Sequence, residues 1–197
     1  MSHYRLIAVG ASWGGMHAIS SLLEGIREHR ELSVVIAQHR HPESGSELRK
    51  TFQLHSSLRV RDAEDKDVVE PGNAYLAPPD YHLLVEREGT LALSTDERVN
   101  YARPSIDVLF ESAADAYGPR CIGIVLTGAN EDGAAGLRRI KELGGVTIVQ
   151  DPRDAERPEM PAAAIAAVDA DVVLPLAEIP SFLKGLLLET RGPSEPT

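Results

Sequence analysis

The chain has 197 residues, of which 43% are apolar and 25% charged, and its formal net charge is −10 at pH 7. This length suits one domain with a sizeable core and is short for two. The negative charge argues against non-specific nucleic-acid binding, which needs a basic surface. Membrane insertion is not expected either, because no apolar run approaches the roughly 20 residues of a spanning helix.

The cellular compartment is predicted from the start of the chain and from its cysteine content. Residues 1–5 lack the apolar segment of a secretory signal. The single Cys121 excludes an internal disulfide and suits a reducing compartment. We therefore expect a cytoplasmic protein. Cys121 begins an apolar run, which favours a buried core thiol over a nucleophile.

Apolar, β-branched runs alternate with amphipathic segments, which predicts alternating strands and helices. In chain order, the predicted elements are a strand at 5–9, a helix at 16–26, a strand at 32–37, a helix at 43–54, strands at 58–60, 74–77, 82–86 and 90–94, a helix at 106–117, a strand at 121–126, a helix at 133–143, a strand at 146–149, a helix at 161–168, a strand at 172–174 and a helix at 179–188. This order predicts an α/β fold with a doubly wound, mostly parallel, Rossmann-like sheet.

Turn and capping residues refine this prediction. Ser105 is placed to cap the helix at 106–117, and either Ser44 or Ser46 to cap the helix at 43–54. A Pro-Gly-Asn turn at 71–73 joins the strands on either side of it. We expect residues 82–94 to form an antiparallel hairpin at an edge of the sheet. Residues 1–189 are expected to form a single domain, followed by a disordered tail at 190–197.

A glycine-rich turn, Gly10-Ala-Ser12-Trp-Gly14, follows the first predicted strand. It fits the G-x-S-x-G nucleophile elbow, in which small residues allow a tight turn that presents a serine hydroxyl. A phosphate-binding loop or a plain tight turn is the alternative at this position. However, the dinucleotide fingerprint needs glycine in place of Ser12, and the Walker lysine is absent.

Three chemically active segments follow three predicted strands: Ser12, His39 and residues 127–132. Because ligands bind beyond the carboxyl ends of parallel strands, these segments are expected to meet. A hydroxyl, an imidazole and a carboxylate there suggest a Ser-His-Asp triad. Asp132 and Glu131 are both candidates for the acid, and the alternative role for Asp132 is to cap the helix that begins at residue 133.

The backbone N–H groups of Trp13 and Ala129 are candidates for an oxyanion hole beside this serine. The order Ser, His, Asp differs from the Ser, Asp, His order of α/β-hydrolases, and here the elbow follows the first strand. A different scaffold is therefore expected.

The other histidines are expected to be partly exposed or to line the core; they are His3, His17, His29, His55 and His82. His39 and His41 flank Arg40, but two histidines without a second ligand cluster make a poor zinc site. No metal site is predicted.

Six segments resemble the catalytic domain of the CheB-type protein-glutamate methylesterases of bacterial chemotaxis. In the family's order, over about residues 5–188, they are 9–15 (VGASWGG), 36–39 (IAQH), 75–80 (YLAPPD), 103–110 (RPSIDVLF), 126–133 (LTGANEDG) and Met160-Pro161. The resemblance places the family's catalytic serine, histidine and aspartate on Ser12, His39 and Asp132.

The resemblance implies hydrolysis of glutamate γ-methyl esters on the cytoplasmic helices of a chemoreceptor or related sensory protein. The same resemblance implies that methanol is released, that deamidation of glutamine is a second activity and that no cofactor is required. It also implies a stand-alone esterase, or an isolated domain, without the receiver domain that normally blocks the active site. What regulates it is not evident from the sequence.

Two departures from the family pattern concern the pocket. Trp13 replaces the usual small hydroxyl residue, which predicts a narrower mouth, and Ala129-Asn130 replaces a more usual Met-Gly pair. Trp13 also motivates an alternative, a binding or scaffold module that keeps the fold without effective catalysis. A nucleotide-binding domain is a third hypothesis.

Overall fold

A computed structural model of the chain describes residues 4–41 and 46–189, and its strands and helices agree with the predicted α/β fold. The strands are β1 (Leu6–Ala11), β2 (Ser33–Gln38), β3 (Arg59–Asp62), β4 (Asn73–Leu76), β5 (His82–Val85), β6 (Leu91–Ser94), β7 (Cys121–Val125), β8 (Val146–Gln150) and β9 (Val172–Leu174). The α-helices are α1 (Gly15–Gly25), α2 (Glu47–Leu54), α3 (Ile106–Tyr117), α4 (Ala134–Glu142), α5 (Glu159–Ala167) and α6 (Ile179–Glu189).

Each predicted element is present, and the capping predictions have mixed outcomes. The Ser105 side chain caps α3 by accepting the Val108 N–H, as predicted. Ser46 is the N-cap residue of α2 but makes no side-chain capping hydrogen bond. Ser44, His3 and the tail at 190–197 lie outside the described residues. None of the described helices combines the length and apolar character that crossing a membrane requires.

Seven strands form one parallel sheet in the order β3-β4-β2-β1-β7-β8-β9. After β1 the chain adds strands on one side of it, and then returns to place β7 on the other side. The strand order therefore switches between β1 and β7. Ligand sites of open α/β sheets lie at such a switch, outside the carboxyl ends of the strands.

The central strand β1 is buried along its whole length, and its side chains alternate between two cores. Leu6 and Ala8 pack with residues of α3, α4 and α5, whereas Ile7 and Val9 pack with residues of α1 and α6. A strand covered on both faces needs apolar residues at every position, which explains the unbroken run in the sequence.

Two details of the predicted topology were wrong. The hairpin β5-β6 forms a separate two-stranded sheet and is not an edge of the main one. Its apolar face, which includes Leu83, Val85 and Leu91, packs in the same hydrophobic core as α3. The hairpin therefore lies against this core and does not pair with an edge strand of the main sheet. Strands β3 and β4 are parallel neighbours, so the turn at 71–73 cannot join them directly. Residues 63–72 make that connection.

Cys121 is fully buried at the start of β7, and burial raises the pKa of its thiol to about 12. The thiolate, which is the reactive form, is therefore scarce at neutral pH. We expect native protein to react negligibly with a disulfide reagent such as dithionitrobenzoate, and one thiol to react promptly after unfolding in urea. Prompt reaction of the native protein would contradict the core assignment of this cysteine.

Candidate active site

The turn after β1 holds Ser12 in a fixed backbone conformation. Gly14 has a φ of +78°, and a Cβ added there would lie 2.7 Å from Glu156 Oε2. Only glycine fits such a position without strain. The Ser12 carbonyl accepts hydrogen bonds from the Gly15 N–H at 3.0 Å and from Gln38 Nε2 at 2.7 Å. The strand, turn and helix predicted around Ser12 are thus present.

His39 directly follows β2, the neighbour of β1. The two strands are parallel and Ala11 is paired with Gln38, so Ser12 and His39 lie at the same edge of the sheet. The His39 N–H extends this pairing by donating to the Ala11 carbonyl at 3.0 Å. Its ring Nε2 lies 2.7 Å from Asp132 Oδ2.

Asp132, in the loop after β7, is completely buried and held by many donors. The donors around its two oxygens are His39 Nε2 (2.7 Å) and the Ile106 N–H (2.7 Å) at Oδ2, and Ser105 Oγ (2.8 Å), the Asp107 N–H (3.0 Å) and Asn100 Nδ2 (3.2 Å) at Oδ1. Burial acts to raise the pKa of Asp132, but the hydrogen bonds from His39 and the α3 backbone outweigh it and lower the pKa overall. The carboxylate is therefore ionised at neutral pH.

The alternative role of Asp132, as the cap of α4, was wrong. Asp132 lies instead at the N-terminus of α3, where free N–H groups and the helix dipole favour an anion. Asp107 Oδ1 takes the position expected of Asp132 by accepting the N–H groups of Gly133 and Gly136 at the start of α4. Glu131, the other candidate acid, is exposed and lines cavities away from Ser12.

The loop after β7 also contacts the elbow directly. The Ser12 N–H donates to the Thr127 carbonyl at 2.9 Å, and the Thr127 hydroxyl donates to the Trp13 carbonyl at 2.9 Å. A Cβ added to Gly128 would lie 3.0 Å from the Ser12 Cβ, so glycine allows this close approach. Among the described residues, no backbone acceptor takes the N–H of Trp13 or Ala129.

Ser12 and His39 line an open cavity of about 640 Å³. Trp13, a residue that is 60% exposed, contributes one apolar wall of it. The indole Nε1 donates to Glu156 Oε1 at 2.9 Å, and the Arg157 guanidinium lies 5.4 Å from the ring centroid. These contacts hold the ring at the side of the cavity.

Several residues around the site received no role from sequence reasoning. Gln38 and Thr127 lie at the carboxyl ends of strands, inside two of the segments quoted above. This position could have identified them as residues of the site. Asn100 and Glu156 had no such signal, because their partners at the site are distant in the chain. His82 is structural, as expected: its ring lies between the Glu97 carbonyl and the Ser105 N–H. In the described ranges, no cluster of His, Cys, Asp and Glu could hold a metal ion.

Comparisons with known proteins agree with this fold. The family model described as CheB methylesterase matches residues 7–183. The crystal structure of the Thermotoga maritima CheB methylesterase catalytic domain is 31% identical, with a TM-score of 0.88 over 93% of this chain and 98% of that one.

Curated relatives fall into two length classes. A Leptospira interrogans protein assigned as a protein-glutamate methylesterase/protein-glutamine glutaminase is 44% identical over 90% of this chain and 92% of its own length. The Myxococcus xanthus protein-glutamate methylesterase FrzG is 39% identical over 91% of this chain, which spans 54% of FrzG. The chain therefore matches one relative almost end to end and about half of the other.

Proposed function

The chain belongs to the CheB methylesterase family, and we propose that Ser12, His39 and Asp132 form the catalytic triad with which it hydrolyses glutamate γ-methyl esters. Enzymes of this family act on methylated chemoreceptors, and a methylated chemoreceptor or related sensory protein is the proposed substrate. The observation that carries this proposal is the 2.7 Å contact between His39 Nε2 and Asp132 Oδ2, beside a cavity that Ser12 and His39 both line.

The tautomer of the neutral His39 ring follows from its partner. An ionised carboxylate can only accept hydrogen bonds, so the neutral ring must carry its proton on Nε2, which faces Asp132. This leaves the lone pair of Nδ1 as the site that takes the proton from Ser12 Oγ. Asp132 thereby sets the tautomer and stabilises the imidazolium formed when the serine attacks.

The reaction proceeds in two halves. Ser12 Oγ attacks the ester carbonyl while its proton passes to His39, and the resulting oxyanion is bound by the N–H groups of Trp13 and Ala129. Such donors are each worth about 3–4 kcal/mol of barrier. Collapse of this intermediate releases methanol, which takes the proton from His39.

Water then completes the cycle. His39 removes a proton from water, the hydroxide attacks the glutamyl ester on Ser12, and the proton returns to the serine as glutamate leaves. The same sequence on a glutamine side chain releases ammonia and accounts for deamidation. Apart from substrate and water, these steps use only side chains and backbone amides of this chain.

The position of Trp13 favours an enzyme over a scaffold module. Because Glu156 and Arg157 hold the indole to one side, the ring forms a wall of the cavity, and Ser12 keeps partial exposure. An apolar wall beside the nucleophile suits the aliphatic part of a glutamyl ester side chain.

The proposed activity is tested by incubating the purified chain with a chemoreceptor fragment that carries labelled methyl esters. We expect enzyme-dependent release of labelled methanol and, with an unmodified glutamine-containing fragment, release of ammonia. The matched control is the same fragment without the chain, which measures spontaneous hydrolysis. Methanol release no faster than this control would contradict the proposed function.

A further inference from the structure

A second cavity, of about 360 Å³, adjoins the Ser12 cavity and shares His39 and Arg40 with it. Arg98, Tyr101 and Arg103 line its other side. Within the described residues, its lining contains three arginines and no carboxylate. This is a local exception on a chain whose net charge is −10.

The two carboxylates that pair with these arginines do not neutralise them. Asp80 Oδ1 contacts Arg98 at 3.3 Å and Arg103 at 2.9 Å, so two positive charges share a single carboxylate. Asp62 is likewise shared by Arg40 at 3.6 Å and Arg49 at 3.3 Å. Each group of three keeps a net positive charge, which favours an anion in the cavity. The buried Asp132 lies behind His39 and Asn100, and its carboxylate is already occupied by the donors of Ser105 and the α3 backbone.

The arginines differ in how many donors they have left. Arg103 uses its guanidinium on Asp80 and on the carbonyls of Thr95 and Asp96, which gives it a structural role. Arg98 is half exposed, and among the described residues its guanidinium pairs only with Asp80, at 3.3 Å. The Arg40 side chain is only 6% exposed, yet its Nε has no hydrogen-bond partner among the described residues.

We propose that this cavity is a specificity subsite for a carboxylate side chain of the substrate, an aspartate or glutamate about one helical turn from the methyl ester. The proposal rests on the function proposed above. Side chains three or four residues apart on a helix are neighbours, with Cβ atoms about 5–6 Å apart. A helix that presents its ester to Ser12 would thus present the next side chain on that face to the adjoining cavity.

The chemistry of the lining matches this ligand. Guanidinium groups bind carboxylates through charge-assisted hydrogen bonds in a planar geometry. The exposed Arg98 can reorient toward an incoming anion because its contact with Asp80 is long and partly solvated. The shared wall of His39 and Arg40 places the bound carboxylate close to the reacting centre without occupying it.

The test uses two helical peptides that each carry one glutamate γ-methyl ester and differ only at the positions four residues to either side of it, which hold Glu in one peptide and Ala in the other. Methanol release gives kcat and KM for each peptide. We expect the Glu peptide to have a kcat/KM about 5- to 20-fold higher, through a lower KM, as for a partly exposed charge-assisted contact. In Arg98→Gln this ratio should fall to within about 2-fold, with the neutral peptide little affected.

Two variants serve as controls. Arg98→Lys keeps the charge and should retain part of the preference. Arg27→Gln removes an arginine of matched exposure, 48% against 51%, which contacts one carboxylate at 3.5 Å and lies outside this cavity. It should leave the ratio unchanged.

The outcomes separate the subsite from the activity. Equal hydrolysis of both peptides by the unmodified chain would overturn the subsite and leave the proposed function standing. A preference that survives Arg98→Gln would also overturn it, because the cavity would not be the source. Hydrolysis of neither peptide, nor of methylated receptor, would contradict the proposed function and the subsite with it.

Discussion

Replacing Ser12 with alanine should lower the turnover of glutamyl methyl esters by about 10⁴-fold or more, as loss of the nucleophile does in other serine triads. The fold should be preserved, because the turn is held by backbone atoms: the Ser12 N–H and carbonyl bond to Thr127, Gly15 and Gln38. The measurement is methanol release under substrate saturation, with thermal unfolding as the check on folding.

The matched control for Ser12→Ala is Ser21→Ala. Ser21 is likewise partly exposed, lies on α1 and is not part of the cavity that Ser12 lines. Its replacement should change turnover by less than about 2-fold, in line with ordinary surface substitutions. If Ser12→Ala retained nearly full turnover, Ser12 would not be the nucleophile.

Asp132→Asn should reduce turnover by about 10⁴-fold and also destabilise the protein by about 2–4 kcal/mol. Each oxygen of the buried carboxylate accepts at least two hydrogen bonds, so an amide nitrogen at either position would face N–H or O–H donors. If the nitrogen faces His39, the ring must place its proton on Nδ1, and that atom can no longer accept the proton of Ser12. Urea unfolding and methanol release measure the two effects.

Asp107→Asn separates stability from catalysis. Asp107 is a second buried carboxylate that accepts backbone N–H groups, from Gly133 and Gly136, but it has no contact with His39. We expect a loss of stability no larger than that of Asp132→Asn, because an amide oxygen can still accept the Gly133 and Gly136 N–H groups. The activity loss should be about 10-fold or less, since the tautomer of His39 is untouched. Equal activity losses in both variants would mean that Asp132 acts only through the fold.

The pH dependence of stability should follow the pKa of Asp132. Its folded pKa is below the ordinary carboxyl value of 3.8, so its contribution to stability is complete above that value and is lost as the pH falls through the folded pKa. Asp107 acts in the opposite direction, because burial raises its pKa. The charge of Asp132 raises this pKa further, and the hydrogen bond from the Gly136 N–H lowers it only in part. Protonation of Asp107 therefore favours the folded state. Urea titrations below pH 4 should show a shallower loss in Asp132→Asn than in the unmodified chain.

Much of the fold could be predicted from the sequence because the central strands are covered on both faces. The run at 121–126 is continuously apolar, which identifies a buried parallel strand without knowledge of its partners. The placement of Ser12, His39 and Asp132 after β1, β2 and β7 followed from one rule, that functional residues collect where the strand order switches. Adjacent parallel strands then brought these segments to one edge.

The surroundings of Asp132 could not be predicted, because they depend on packing between elements that are distant in the chain. The N-terminus of α3 reaches Asp132 only through the tertiary fold, and local capping preference pointed to α4 instead. The contact of Trp13 with Glu156 spans 143 positions and leaves no periodic signal. The position of the hairpin was wrongly predicted for the same reason. Its alternating pattern shows that one face is apolar, but not whether that face packs at an edge of the sheet or against α3.

The most direct measurement is the site of covalent modification by a fluorophosphonate, followed by peptide mass spectrometry, in protein that hydrolyses the methyl ester. A serine activated by His39 should be modified at Ser12, with activity lost in parallel, and the modification should be absent in Ser12→Ala and strongly slowed in His39→Ala. Modification of another residue in parallel with the loss of activity, or modification of Ser12 at an undiminished rate in His39→Ala, would contradict the triad.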